Sequence, residues 1–367
     1  MSKTTGVISM GVKAPIIRQG DDLKNIVIES VNKALSENGM TIKDGDVIGI
    51  TESVVARAQG NYVTIDDIVE FLKEHSYPKY IGLYKPIFSR NRFSMILKAF
   101  ARHCDKLIIY HDEFDDQGNP CNVPNPFTGV DIKEYYKQLC EEENCELEFE
   151  SCYMFDNHSD GIFDMDARCH PEFGPSLLDV MSEPATRPDG TQSGYNKDWG
   201  LLGSNKADEE TLKLFPRKEE AQKLVDEIQD RLFIETGKKV ELLVYGDGNF
   251  CSPSIPGVPG SQINEWADPC NPAWTSGLNG SPNEVKLKAL ADGKFGMLKG
   301  DELKEAITNE IKNKEKNLVG SMASQGTTPR RYIDLLASLA DLTSGSGDKG
   351  TPMVYIKNYF DNYATEK

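Results

Sequence analysis

The stretch DGDVIGITESVVARAQGN, residues 44–61, decides how this chain is organised. Val47-Ile48-Gly49-Ile50 is apolar without alternation and reads as a buried strand. It ends in Thr51-Glu52-Ser53, continues through a β-branched pair, and closes with Arg57-Ala58-Gln59-Gly60. Either the strand end carries polar groups to an anionic ligand, or an ordinary strand and turn are followed by a solvated arginine. The local pattern leaves both open.

Upstream, residues 21–37 (DDLKNIVIESVNKALSE) place Leu23, Ile26, Val27, Val31 and Leu35 at helical spacing, with Asp21 and Asp22 in the first turn. Downstream, TIDDIVEFLKEH (64–75) predicts an amphipathic helix with Thr64 as N-cap and Asp67 completing a capping box. Residues 85–117 predict a basic helix running into a strand, with Lys85, Arg90, Arg92, Lys98 and Arg102 gathered there. Such a face is either simply solvated or a site for an anionic substrate, because guanidinium forks match phosphate and carboxylate. Arg90 and Arg92 are the substrate candidates.

Residues 115–198 are rich in Asp, Pro, Gly, Asn and Cys and poorly periodic, apart from a helix near 131–143. DNHSDGIFDMDA (156–167) puts Asp156, His158, Asp160 and Gly161 on EF-hand loop positions, but Ala167 stands where the bidentate Glu belongs. A polar loop is the better reading. From residue 206 regularity returns: a helix over 219–237 ended by Gly237, then the strand of KKVELLVYGDGNF stopping at Asp247-Gly248-Asn249. A Pro/Gly/Ser/Asn-rich section over 251–283 reads as a long functional loop or lid. Helices at about 301–313 and 329–342, the glycine loop SGSGDKGTP and a last strand MVYIKNYF complete the chain.

With 367 residues the chain exceeds one ordinary core, so more than one domain is expected. A net charge of −17 repels nucleic acid phosphates, and no basic face is segregated to overcome it. No run approaches the length of a membrane span, and the start shows no signal peptide. Eight scattered Cys without a C-x-x-C pair point to reduced thiols and a cytoplasmic protein.

The chemistry gathers in three strand-adjacent loops: Thr51–Gly60, the VYGDGN segment, and SGSGDKGTP. Glycines let backbone N–H groups approach phosphate oxygens, a lysine adds a point charge, and Asp247 at a strand end suits Mg²⁺ or Mn²⁺ shared with phosphates. No Walker A loop, G-x-S-x-G elbow or H-E-x-x-H motif is present.

In order along the chain these loops resemble the coenzyme F-420 (deazaflavin) γ-glutamyl ligase family. APIIRQGDDL is similar to that family's P-L-I-x-x-G-D-D-L, and residues 44–61 to G-D-[IV]-[IVL]-V-x-[ST]-x-[IV]-[IV]-S-K-A-E-G. GLLGSNKADEETLKLFP resembles G-I-D-x-S-N…L-L-P, TGKKVELLVYGDGNF resembles T-G-K-[RK]-V-x-V-I-I-T-D-[ST]-x-G-R, and LASLADLTSGSGDKGTPMVYI resembles A-x-L-L-M-G-E-x-x-D-G-I-P-V-V-x-[IV]. The resemblance implies an α+β fold of mixed sheets in two parts, assembled as the homodimer of that family. Residues 1–61 plus 198–367 would form a composite core, with 62–197 an elaborated middle segment. It implies a ligase that uses GTP or ATP with Mg²⁺ or Mn²⁺ to activate a small carboxylate acceptor as an acyl phosphate for L-glutamate. Pro15, Ile16, Ile17, Ser53, Arg57, Ser204, Asn205 and the loop Gly345, Ser346, Gly347, Asp348, Lys349, Gly350 would touch nucleotide, and Asp247 metal.

There are departures. Leu202 stands where the family has a metal-binding Asp, with Asp198 the proposed replacement; Gly248 replaces a hydroxyl residue, and the acid of the glycine loop is shifted from Ser346 to Asp348. They keep two alternatives in view: a non-catalytic nucleotide- or ligand-binding protein on the same scaffold, and an unrelated α+β enzyme using the acidic segments 111–116 and 156–166.

Overall fold

The computed structural model describes residues 5–115, 118–165, 174–246, 274–278, 280–315 and 331–365. A five-stranded mixed sheet forms from β1 (Ile8–Val12), β12 (Met353–Lys357), β2 (Val47–Thr51), β10 (Glu241–Tyr245) and β11 (Trp274–Ser276), in that spatial order. β2 and β10 run parallel; every other pairing is antiparallel.

Both faces of this sheet are covered, which is why β2 lacks polar alternation. Ile48, Ile50, Leu242 and Val244 pack against Val27 and Val31 of α1 (Leu23–Glu37) and Val225 and Ile228 of α6 (Lys218–Thr236). Val47, Leu243, Val354 and Ile356 pack on the other face against Leu336, Ala337 and Ala340 of α9 (Tyr332–Ser344). Gly49 lies beneath α9: a Cβ there would meet the Ala340 Cβ at 3.1 Å and the Tyr245 ring at 3.2 Å. Its missing side chain lets the helix approach.

The stretch after β2 departs from the expected turn. Glu52–Gln59 is an α-helix, α2, closed by Gly60 at φ 66°. The β-branched Val54-Val55 pair leans towards a strand, but the helix buries Val55 and Ala56. A side chain on Gly60 would collide with Gln19, because residues 18–20 cross the end of α2, where the Gly20 N–H donates to the Ala58 carbonyl at 2.9 Å.

Residues beyond α2 build two further sheets. β3 (Tyr62–Thr64), β9 (Thr211–Leu214) and β8 (Ser204–Lys206) form an antiparallel trio. β6 (Glu146–Ser151), β5 (Lys106–His111), β4 (Tyr80–Tyr84) and β7 (Gly161–Asp164) form an all-parallel sheet in that order. The connections include α3 (Ile65–Glu74), α4 (Arg92–His103) and α5 (Ile132–Glu142). One core joins the two sheets, running from Ile68 and Phe71 of α3 through Ile96 and Phe100 of α4 to Leu212 and Leu214 of β9. α3 starts with the capping box read from sequence: the Asp67 N–H donates to Thr64 Oγ1 at 3.0 Å and the Thr64 N–H to Asp67 Oδ2 at 2.9 Å. A single turn, α7 (Leu287–Ala289), precedes α8 (Gly300–Asn313), whose Ile307 and Ile311 pack with Ala364. No helix among the described residues is long and apolar enough to cross a membrane.

Candidate functional site

Sheet register brings distant loops to one edge. Thr51 is the partner of Tyr245 across the parallel pair, so β2 and β10 end together. Met353, the first residue of antiparallel β12, pairs with Ile50 on one side and with Val12, the last residue of β1, on the other. The segments after β1, after β2, after β10 and before β12 therefore share this edge.

They enclose a cavity of about 410 Å³. Its walls are Pro15–Ile17, Thr51–Val54 with Arg57, Tyr245–Gly246, and Asp341, Ser344–Gly347 and Gly350–Pro352. The volume is within the ordinary range for small-ligand pockets. Backbone bonds lock the rim: the Ala14 N–H donates to Gly350 O at 3.1 Å and the Thr51 N–H to Pro352 O at 2.9 Å.

The start of α2 faces this space. Thr51, its N-cap, is extended and gives no side-chain cap. First-turn N–H groups have no intrahelical acceptor, and the helix dipole adds positive potential, so this end favours an anion. Opposite it the chain leaves α9 through Gly345, at φ 62° and ψ −150°, a region essentially restricted to glycine. The Lys349 side chain lies across Gly345, where an added Cβ would meet its Nζ at 2.5 Å. Ser346 Oγ donates to Asp348 Oδ1 at 2.6 Å, and Thr351 Oγ1 to Ser344 O at 2.9 Å.

Arg57 is exposed on the wall and has no ion-pair partner among the described residues. Glu52 is buried and bound to Lys213 of β9, with Nζ to Oε1 at 3.3 Å. Burial pushes the Lys213 pKa down, against the opposing pull of Glu52.

Of the residues singled out from sequence, Pro15, Ile16, Ile17, Ser53, Arg57, Gly345, Ser346, Gly347 and Gly350 line the cavity. Asp348 and Lys349 lie in the same loop without lining it. Asp247 lies outside the described residues; its neighbour Gly246 is on the wall. Ser204 and Asn205 are elsewhere, on β8: Ser204 is buried and donates to Leu201 O at 2.6 Å, while exposed Asn205 is the cross-strand partner of Lys213. Asp198 is exposed away from the cavity, its N–H held by Asn196 Oδ1 at 3.0 Å. Leu202 is buried, and its carbonyl accepts from Arg92 at 2.5 Å, which occupies that guanidinium structurally.

Three other bases of that segment are also committed. Arg102 is bidentate on Glu143 at 2.9 and 2.8 Å and reaches Asp66 at 2.8 Å; Lys98 binds Glu210; Lys85 binds Asp112 at 2.6 Å. Exposed Arg90 borders a separate cavity of about 110 Å³ beside Phe88 and Asn125. The described part of the EF-hand-like segment is a polar loop entering β7, with His158 at 3.8 Å from Asp156. Among the described residues no group of three or more His, Cys, Asp or Glu could hold a metal ion. The described cavity walls carry two carboxylates, Asp341 and Glu52, the second held by Lys213. That fits a cation held chiefly by phosphates, as Mg²⁺ commonly is, rather than an all-protein cage.

Sequence reading missed Glu52, Lys213, Asp341 and Tyr245. The one signal was a lysine inside the apolar run TLKLF, and its partner stands 161 residues away.

A family model described as F420-0:Gamma-glutamyl ligase matches residues 11–358. Over 64 residues the chain is 36% identical to the coenzyme F420:L-glutamate ligase of Methanothermobacter thermautotrophicus, covering 17% of this chain and 24% of that protein. The aligned stretch thus spans about a quarter of that relative's length.

Proposed function

This chain belongs to the F420-0:gamma-glutamyl ligase family, and from that membership we propose that it is a nucleotide-dependent ligase joining L-glutamate to a small carboxylate acceptor. The observation that carries this reading is the convergence of four remote segments on one cavity whose walls include the start of α2, Arg57 and a glycine loop. In the proposed reaction the γ-phosphoryl group of GTP or ATP passes to the acceptor carboxylate, and the glutamate amine displaces phosphate from the acyl phosphate. The α2 amides and the Gly345–Gly350 loop would hold the phosphates, and Arg57 would stabilise charge as the transferred group departs. A divalent cation, Mg²⁺ or Mn²⁺, would neutralise the phosphates, with Asp247 as its proposed protein ligand. A cytoplasmic homodimer completes the proposal.

Calorimetry with GTP and ATP, each with Mg²⁺ or Mn²⁺, tests the first step, and phosphate release with glutamate across a panel of carboxylates tests the second. Failure of both nucleotides to bind removes the reading. A second reading, a nucleotide-binding protein without ligase activity, draws support from Leu202, buried and engaged through its carbonyl where a metal-binding Asp is expected. Binding without phosphate release from any acceptor would establish it.

A further inference from the structure

Glu52 presents an electrostatic problem. As the first residue of α2 it lies beside the amides that face the cavity, and a bare carboxylate there would repel the phosphates those amides attract. Lys213 answers it from another sheet. The two side chains are 7% and 6% exposed, and the ammonium lies 3.3 Å from the carboxylate. A buried pair of this kind is costly to desolvate and poor evidence of stabilisation, so another role is expected of it. The pair also links β9, part of the core shared with α3 and α4, to the edge of the five-stranded sheet.

We infer that Lys213 is a positioning residue that neutralises Glu52, so that the start of α2 accepts a polyphosphate, making the net charge of this pair a determinant of specificity for phosphate number. The inference rests on the nucleotide reading above. Glu52 is fixed at the pocket, and the low-dielectric surroundings of the pair leave little counter-ion screening. Without the Lys213 ammonium, the Glu52 carboxylate within two helical turns of the phosphates weakens binding about ten- to hundredfold, roughly 1.4–2.8 kcal/mol.

The test is calorimetric affinity for the mono-, di- and triphosphates of guanosine and adenosine in the full chain, with thermal melting to verify folding. In Lys213→Met the triphosphate loses about ten- to hundredfold and the monophosphate distinctly less. The double variant Glu52→Gln/Lys213→Met recovers most of the loss. Should Lys213→Met fail to fold, Glu52→Gln against the double variant decides: with the ammonium uncompensated, triphosphate binds more tightly in Glu52→Gln. A loss that is uniform across phosphate number, equal affinities in the deciding comparison, or a folded Lys213→Met that binds triphosphate like the wild type overturns the inference. A wild type that binds no nucleotide overturns the underlying reading instead.

Discussion

Gly49 is where fold and candidate site can be perturbed together. Replacing it with Ala places a methyl 3.1 Å from the Ala340 Cβ and 3.2 Å from Tyr245 Cε1, against an ordinary carbon–carbon contact of about 3.5–4.0 Å. The Ala340 Cβ is fixed to its backbone, so α9 must retreat by roughly half an ångström. Tyr245 is constrained as well, since its hydroxyl donates to the Ala340 carbonyl at 3.3 Å. Overpacking of this kind costs about 1–3 kcal/mol, and replacing a strand glycine returns about 0.4–1 kcal/mol through the unfolded chain. The net expectation is a destabilisation of about 0.5–2 kcal/mol, larger for Val. Because α9 carries Asp341 and Ser344 into the cavity wall, nucleotide affinity should fall with it. Urea unfolding followed by circular dichroism reads the first effect and calorimetry the second. Gly49→Ala/Ala340→Gly, which removes the methyl opposite, should show a favourable coupling above about 0.5 kcal/mol. Wild-type stability in Gly49→Ala, or strict additivity in the double variant, would refute the packing argument.

Arg57→Gln should weaken triphosphate binding about tenfold or more while leaving the melting temperature unchanged, because the side chain has no ion-pair partner among the described residues; a stability loss with intact affinity contradicts its placement. Arg102→Met should destabilise the protein by about 1–3 kcal/mol, chiefly through loss of its part-buried fork to Glu143, with nucleotide affinity unaltered; chemical denaturation and calorimetry separate the two effects. Burial raises the Asp67 pKa, but the Arg187 fork at 2.7 and 2.9 Å and the Thr64 N–H outweigh it and hold the carboxyl below its ordinary value of 3.8. A depressed folded pKa gives stability that is present above the unfolded value and lost as pH falls through the folded one. Asp67→Asn should therefore flatten the acid side of the stability profile below about pH 5, and an unchanged slope there would count against the pair.

Local signals carried part of this architecture. Thr64 with Asp67 marks the start of α3, Gly237 the end of α6, and uninterrupted apolar runs the strands covered on both faces. α2 was not legible because Val54-Val55 favours a strand, and what settles the helix is burial against the sheet. The parallel sheet of the middle segment was hidden for another reason: ELEFES of β6 alternates acids on an edge strand, and pairings made through crossovers leave no local pattern. The basic helix misled in the same way, since Arg102 finds its carboxylates 41 and 108 residues away. In the candidate site, Ser53, Arg57 and the glycine loop could be read because strand-end and glycine chemistry is local. Ser204 and Asn205 fall elsewhere because β8 belongs to a different sheet.

The charge balance gives that geometry a further consequence. At a net −17, the far field of the protein repels a polyphosphate, and at physiological salt this repulsion is screened beyond about 8 Å. On the proposed nucleotide reading, attraction must therefore arise at contact distance, where dipoles and a few cations act without heavy screening. The edge where β2 and β10 end together meets that need through backbone alone, with helix amides on one side and a glycine turn on the other. Arg57 on the wall would then be a local supplement, and the Glu52–Lys213 pair adds no net charge. On the proposed reading, surface acids can consequently vary widely at this protein without abolishing anion binding in the cavity, whereas a single change to the register of β2 against β10 would remove it.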